Sequence, residues 1–74
     1  MQEPTRKQLE VLRAIQRLTN ESDYPPTVRE IQTEAGLASP STVKYHLLHL
    51  KEKGLISYEP KKARTIKILN SLEE

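Results

Sequence analysis

Pro26-Thr27-Val28-Arg29-Glu30-Ile31, then Ala35-Gly36-Leu37, then Ser39-Pro40-Ser41-Thr42-Val43-Lys44-Tyr45-His46-Leu47: this stretch decides the fold. Thr27 and Glu30 have the spacing of a capping box, so a helix starts there. Val28, Ile31 and Ala35 give that short helix one apolar side. Gly36 stands where a left-handed residue closes a helix without steric cost. Ser39 then caps the next helix, and Pro40 takes its first position, where no amide donor is needed. Val43, Leu47 and Leu50 form the inward face of this helix. Ser41, Lys44, Tyr45 and Leu48 lie at i, i+3, i+4 and i+7 on a different face, and three of the four can hydrogen bond. Two short helices around a glycine turn, the second opening on small polar residues, are the pattern of a helix-turn-helix, whose second helix enters the DNA major groove.

On the amino-terminal side, Thr5 and Gln8 form another capping box. Val11, Ala14, Ile15 and Leu18 mark one helical face, which Leu9 and Leu12 widen. A helix over residues 6–19 is predicted, followed by polar loop at Asn20-Glu21-Ser22-Asp23. Tyr24-Pro25-Pro26 is stiff and extended, because each proline pushes the preceding residue out of the helical region. Tyr24 is expected to pack against the edge of the core.

On the carboxy-terminal side, Gly54 ends the third helix, predicted over 40–53, with the second over 28–35. Residues 55–59 are β-branched and aromatic in content, Pro60-Lys61-Lys62-Ala63 is a turn, and residues 64–69 alternate polar and apolar. The result is a hairpin behind a helix-turn-helix, which is a wing. The expected class is mainly α with a small β-hairpin: a three-helix winged helix-turn-helix over 1–70, with 71–74 a frayed tail.

The chain has 74 residues, no cysteine and a net charge of +2. It makes one small domain, of a size that buries only ~60% of its unfolded surface. Neither a disulfide nor a thiolate metal site can support it, so packing and helix caps must. Absence of cysteine fits a reducing compartment. No apolar run reaches the ~20 residues of a membrane span, and Met1-Gln2-Glu3-Pro4 lacks the regions of a signal peptide. A soluble, cytoplasmic protein is expected. The charge is unevenly spread. Residues 38–67 carry a net +5 from Lys44, Lys51, Lys53, Lys61, Lys62, Arg64 and Lys67 against Glu52 and Glu59; residues 1–37 carry −1. Positive charge on the third helix and the segment after it suits a polyanion; a solvated lysine surface is the plainer alternative.

Several stretches together resemble the amino-terminal domain of the LexA family of bacterial SOS repressors: Pro25 to Ile31, Gly36-Leu37, Ser39-Pro40-Ser41-Thr42-Val43, His46-Leu47 and Lys53-Gly54-Leu55-Ile56. The resemblance runs from Thr5 to about Leu69. It implies a winged helix-turn-helix that binds palindromic operators as a dimer and represses DNA-damage genes in the bacterial cytoplasm, associated with the nucleoid. It implies base contacts from the start of the third helix, at Ser39, Ser41, Thr42, Lys44 and Tyr45. It places Lys53 at a family position and the wing residues Lys61, Lys62 and Arg64 along the DNA backbone. The family's second domain, with its serine–lysine self-cleavage site and most of its dimer contacts, matches nothing in this chain, so no enzyme activity is expected. The dimer is expected to be weak without it. Lys44 and Tyr45 depart from the family pattern.

Residue by residue, the chemistry allows these tasks beside the plainer alternative of ordinary solvent exposure. Ser39 is a helix cap whose neighbouring amides can also hold a phosphate. Ser41 and Thr42 are small enough to let the helix approach base edges, and the Thr42 methyl can touch a thymine methyl. Lys44 can donate to guanine O6 and N7 or neutralise a phosphate. Tyr45 either reaches the DNA or folds back over Leu48 or Leu9. Lys61, Lys62 and Arg64 supply sequence-independent affinity, with Arg29 and Lys53 as further phosphate candidates. His46 and His49 stand i, i+3, but the surrounding residues favour a packed neutral His46 over a metal site. No cofactor is expected, and no nucleophile has an oriented base. Two functions compete: a sequence-specific repressor domain for double-stranded DNA, and a winged-helix protein-interaction module without DNA binding. The polar stripe on the third helix favours the first, since interface cores prefer apolar and aromatic anchors.

Overall fold

The computed structural model describes residues 4–69. Three helices, α1 (Arg6–Ser22), α2 (Val28–Ala35) and α3 (Pro40–Glu52), precede two strands, β1 (Ile56–Ser57) and β2 (Lys67–Ile68). The helices pack on one another, and the hairpin closes over α3 and α1.

Each helix starts at the cap that the sequence marks. Thr5 Oγ1 accepts the Gln8 amide at 3.2 Å, and Gln8 Oε1 accepts the Thr5 amide at 3.1 Å. Thr27 and Glu30 repeat the exchange at 3.1 and 2.9 Å. Ser39 Oγ accepts the Thr42 amide at 3.3 Å, with Pro40 in the first turn. The ends of α2 and α3 share one geometry. Gly36 and Gly54 take φ of 68° and 76°. Leu37 donates to the Gln32 carbonyl and Leu55 to that of Leu50, both at 3.0 Å. These bonds use otherwise orphaned carbonyls and turn a leucine inward.

Helix α1 is longer than its apolar stripe. Asn20, Glu21 and Ser22 are helical rather than loop, and Asp23 closes the helix at φ 63° with its amide on the Thr19 carbonyl. A short carboxylate tolerates the left-handed region. The helix therefore ends where a residue can turn, about two turns beyond its last buried side chain, Ile15. Helix α3 ends at Glu52, with Lys53 as its cap.

The core is Val11, Leu12, Ile15, Ile31, Val43, Leu47, Leu50, Leu55, Ile56 and Ile66, from all three helices and both sides of the hairpin. Burying each such side chain stabilises by roughly 1.5–3 kcal/mol. Among the described residues one buried residue is polar: Gln8, whose Oε1 also accepts the Lys53 ammonium at 2.6 Å, tying the end of α3 to the start of α1.

The strands are much shorter than the predicted 55–59 and 64–69. The pairs are Ile56 with Ile68 and Ser57 with Lys67, antiparallel, and Leu69 donates to the Leu55 carbonyl at 2.8 Å. Beyond Ser57 the ladder stops because Glu59 spends its backbone groups elsewhere. Its amide donates to Thr65 Oγ1 at 2.8 Å, and its carbonyl accepts from Lys62 N–H at 3.0 Å and from the Thr65 hydroxyl at 3.3 Å. Pro60 has no amide to donate, and Arg64, placed in a strand by the alternation, turns at φ 58°. The alternation holds in burial nonetheless: Ile66 is buried, Lys67 exposed and Ile68 half-buried. Tyr24 is exposed rather than packed on the core; its ring lies 4.5 Å from the Arg64 guanidinium carbon. Residues 1–3 and 70–74, including the expected tail, lie outside the described residues.

Candidate nucleic-acid interface

Val43, Leu47 and Leu50 anchor one side of α3 in the core, which fixes what the other side presents. Ser41, Lys44, Tyr45 and Leu48 are exposed there. Ser39 and Thr42 are half-buried and their hydroxyls meet at 3.2 Å, so both are engaged in closing the helix start. The Tyr45 ring meets His49 edge-on at 4.5 Å and His46 at 5.5 Å, leaning on its own helix. Leu48 is 48% exposed, a bare apolar side chain in the middle of this face.

The wing faces the same side. A cleft of about 590 Å³ separates it from α3, with Lys44, Leu48 and Tyr58 on one part of its lining and Lys61, Lys62 and Arg64 on another. Lys61 and Lys62 are exposed, and Lys62 stands 3.8 Å from Glu59, a pairing that solvent screens. Lys44, Lys61, Lys62 and Arg64 are thus brought together around one opening. Arg29, exposed in the first turn of α2, and Lys53 are not part of that lining. Lys51 stands over the Tyr58 ring at 5.1 Å, bracing the base of the wing.

Two engagements have no signature in the sequence. Lys53 holds buried Gln8, and Arg64 holds Glu30. Arg64 donates from one terminal nitrogen to the Pro25 carbonyl at 3.0 Å and to Glu30 Oε1 at 3.3 Å, and from the other to Glu30 Oε2 at 3.1 Å. The Thr27 amide, then Arg64, hold the Glu30 carboxyl below its ordinary pKa. Burial, then the nearby charges of His49 and Lys7, hold His46 below its ordinary value, and its Nδ1 is buried without a hydrogen-bond partner. His46 thus packs beside the core with its charged form disfavoured. Among the described residues, no three His, Cys, Asp or Glu side chains are disposed to hold a metal, and no helix is long and apolar enough to cross a membrane.

The sequence that builds this geometry has relatives. The family described as the LexA DNA binding domain matches residues 1–65. The chain is 49% identical over 70 residues to the LexA repressor of Bacillus licheniformis, covering 95% of this chain and 34% of that protein. It is 48% identical over 66 residues to the LexA repressor of Bacillus subtilis, covering 89% and 32%. It is 46% identical over 70 residues to the LexA repressor of Staphylococcus aureus, covering 95% and 34%. The chain spans about a third of the length of the curated relatives it matches. With three capped helices, a wing and a family match over most of its length, the chain belongs to the family of LexA DNA-binding domains.

Proposed function

We propose that this chain reads double-stranded DNA sequence-specifically, as the operator-binding domain of a bacterial repressor of DNA-damage genes, acting on the nucleoid in the cytoplasm. The observation that carries the reading is the shared cleft: Lys44 on α3 and Lys61 and Lys62 on the wing line one opening. A helix seated in the major groove then brings the wing to the phosphates beside it. Lys44 donates to a guanine edge, the Ser41 hydroxyl adapts to its neighbour, and Tyr45 with the Thr42 methyl covers adjacent base edges. Ser39 and the amides at the start of α3 approach a phosphate, where the helix dipole favours negative charge. Lys61 and Lys62 supply affinity without sequence preference, each phosphate neutralised adding about 0.9 to the salt slope. Arg29 and Lys53 lie outside the cleft as further phosphate partners, Lys53 only on giving up its bond to Gln8. One domain covers one half-site, so a palindromic operator takes two copies related by a two-fold axis.

The division of labour gives the test. Lys44→Ala should cost about 1–3 kcal/mol on the preferred sequence and less on random duplex. Lys61→Gln with Lys62→Gln should weaken both duplexes alike and lower the salt slope by about 1.8. Unchanged base preference in the first variant, or an unchanged slope in the second, contradicts the assignment. The competing protein-interaction reading expects no salt-dependent binding to any duplex.

A further inference from the structure

We infer that Arg64 is the positioning residue of the wing, a clamp on the start of the helix-turn-helix rather than a phosphate ligand. The inference rests on the DNA-binding reading above. Pairing in the hairpin stops at Ser57 and Lys67, so the loop between Tyr58 and the buried Ile66 runs without a ladder. Thr65 ties this loop internally, through Glu59 and the Lys62 carbonyl at 3.2 Å. That knot shapes the loop but does not fix its angle to the helices. Arg64 does. Its fork spans both Glu30 oxygens and the Pro25 carbonyl, and its flat face covers the Tyr24 ring at 4.5 Å. A planar guanidinium makes these contacts together; a lysine ammonium cannot.

The receiving end is rigid before Arg64 arrives. Glu30 Oε1 accepts the Thr27 amide at 2.9 Å, so the carboxylate is already held in the capping box at the start of α2. At φ 58° the Arg64 backbone sits in a region that non-glycine residues rarely adopt, the state expected where surrounding contacts over-determine a residue. A DNA phosphate would have to displace a bidentate carboxylate already in place. The arginine instead cancels the Glu30 charge near the DNA face and holds Lys61 and Lys62 where phosphates pass.

Glu30→Gln separates the two roles by sign, because glutamine still serves in a capping box. If Arg64 were a phosphate ligand, removing an acidic charge and releasing the arginine would tighten DNA binding. As a clamp, its release weakens binding about two- to tenfold, the range for re-ordering a few side chains on association. Binding is measured on a duplex selected by the wild-type chain from a random pool. Arg64→Lys should weaken binding comparably, whereas a phosphate contact would tolerate the retained charge. Amide hydrogen exchange without DNA supplies the second readout. Residues 58–66 should exchange faster in both variants, with the amides of α1 and α3 unchanged. Tighter binding by Glu30→Gln, or unaltered exchange in the loop, overturns the clamp. If the wild-type chain binds no duplex while the loop amides still respond, the DNA reading falls and the clamp stands as a structural contact.

Discussion

In the helical body, Ile15, Ile31, Leu47 and Leu50 meet at 1% exposure or less, and each helix is closed by hydrogen bonds to residues three to five positions away. In the wing, two strands of two residues carry a loop whose tip reaches Pro25 and Glu30, 39 and 34 positions back in the chain. The body rests on apolar burial and local caps. The base of the wing is seated in the core by Ile56 and Ile66, and its tip is placed by polar contacts between distant segments, through an arginine and a glutamate that are each about 40% exposed. Exposed ion pairs typically contribute ~0–1 kcal/mol, so the wing can lose its position while the body keeps its fold. Such a division suits the proposed function, in which α3 stays rigid and the wing adjusts to the phosphates.

Removing a central side chain should erase the distinction altogether. Leu47→Ala leaves a cavity where α3 meets α1 and α2 and should cost about 2–5 kcal/mol, a large part of the 5–15 kcal/mol typical of whole domains. Urea unfolding checks this, and a loss under about 1 kcal/mol would show that the body is not organised around α3.

Acid should separate the regions more gently. His46 has a lowered pKa in the folded chain, so the unfolded chain binds more protons as pH falls below the ordinary 6.5. Its contribution to stability is present above that value and is lost on the acid side. The charged and titratable groups around it are Lys7 on α1 and His49 on α3, with Tyr45 against both histidines. Glu30 is likewise depressed, from 4.5, so its contact with Arg64 persists to lower pH. Thermal melts should therefore weaken below about pH 6.5 in the wild-type chain and less in His46→Leu. Exchange in the wing loop should respond only below 4.5. A melt that is flat between pH 7 and 5 would contradict a packed His46 with its charged form disfavoured.

The same contrast explains what could be read from sequence. Thr5, Thr27, Ser39, Gly36 and Gly54 announce helix ends because capping depends on neighbours within a few positions, and all five stand at those ends. Val43 and Leu47 sorted inward and Lys44 and Tyr45 outward by periodicity alone, as the structure has them. The sequence pattern ends α1 too early because the apolar stripe stops before the backbone does, at a residue able to turn. The wing was drawn too long because alternation reports burial, which Ile66 and Ile68 obey, while the ladder depends on where Glu59 sends its backbone groups. The contacts of Arg64 with Glu30 and of Lys53 with Gln8 join segments far apart in the chain, and no spacing rule connects them.

The most direct test of the central claim is selection of binding sites by the wild-type chain from a pool of random duplexes, repeated at two salt concentrations. Enrichment of one short half-site is expected, with an affinity that falls linearly as the logarithm of salt rises and a slope steeper than about −1.8 from Lys61 and Lys62 together. No enriched sequence, and binding indifferent to salt, would contradict it.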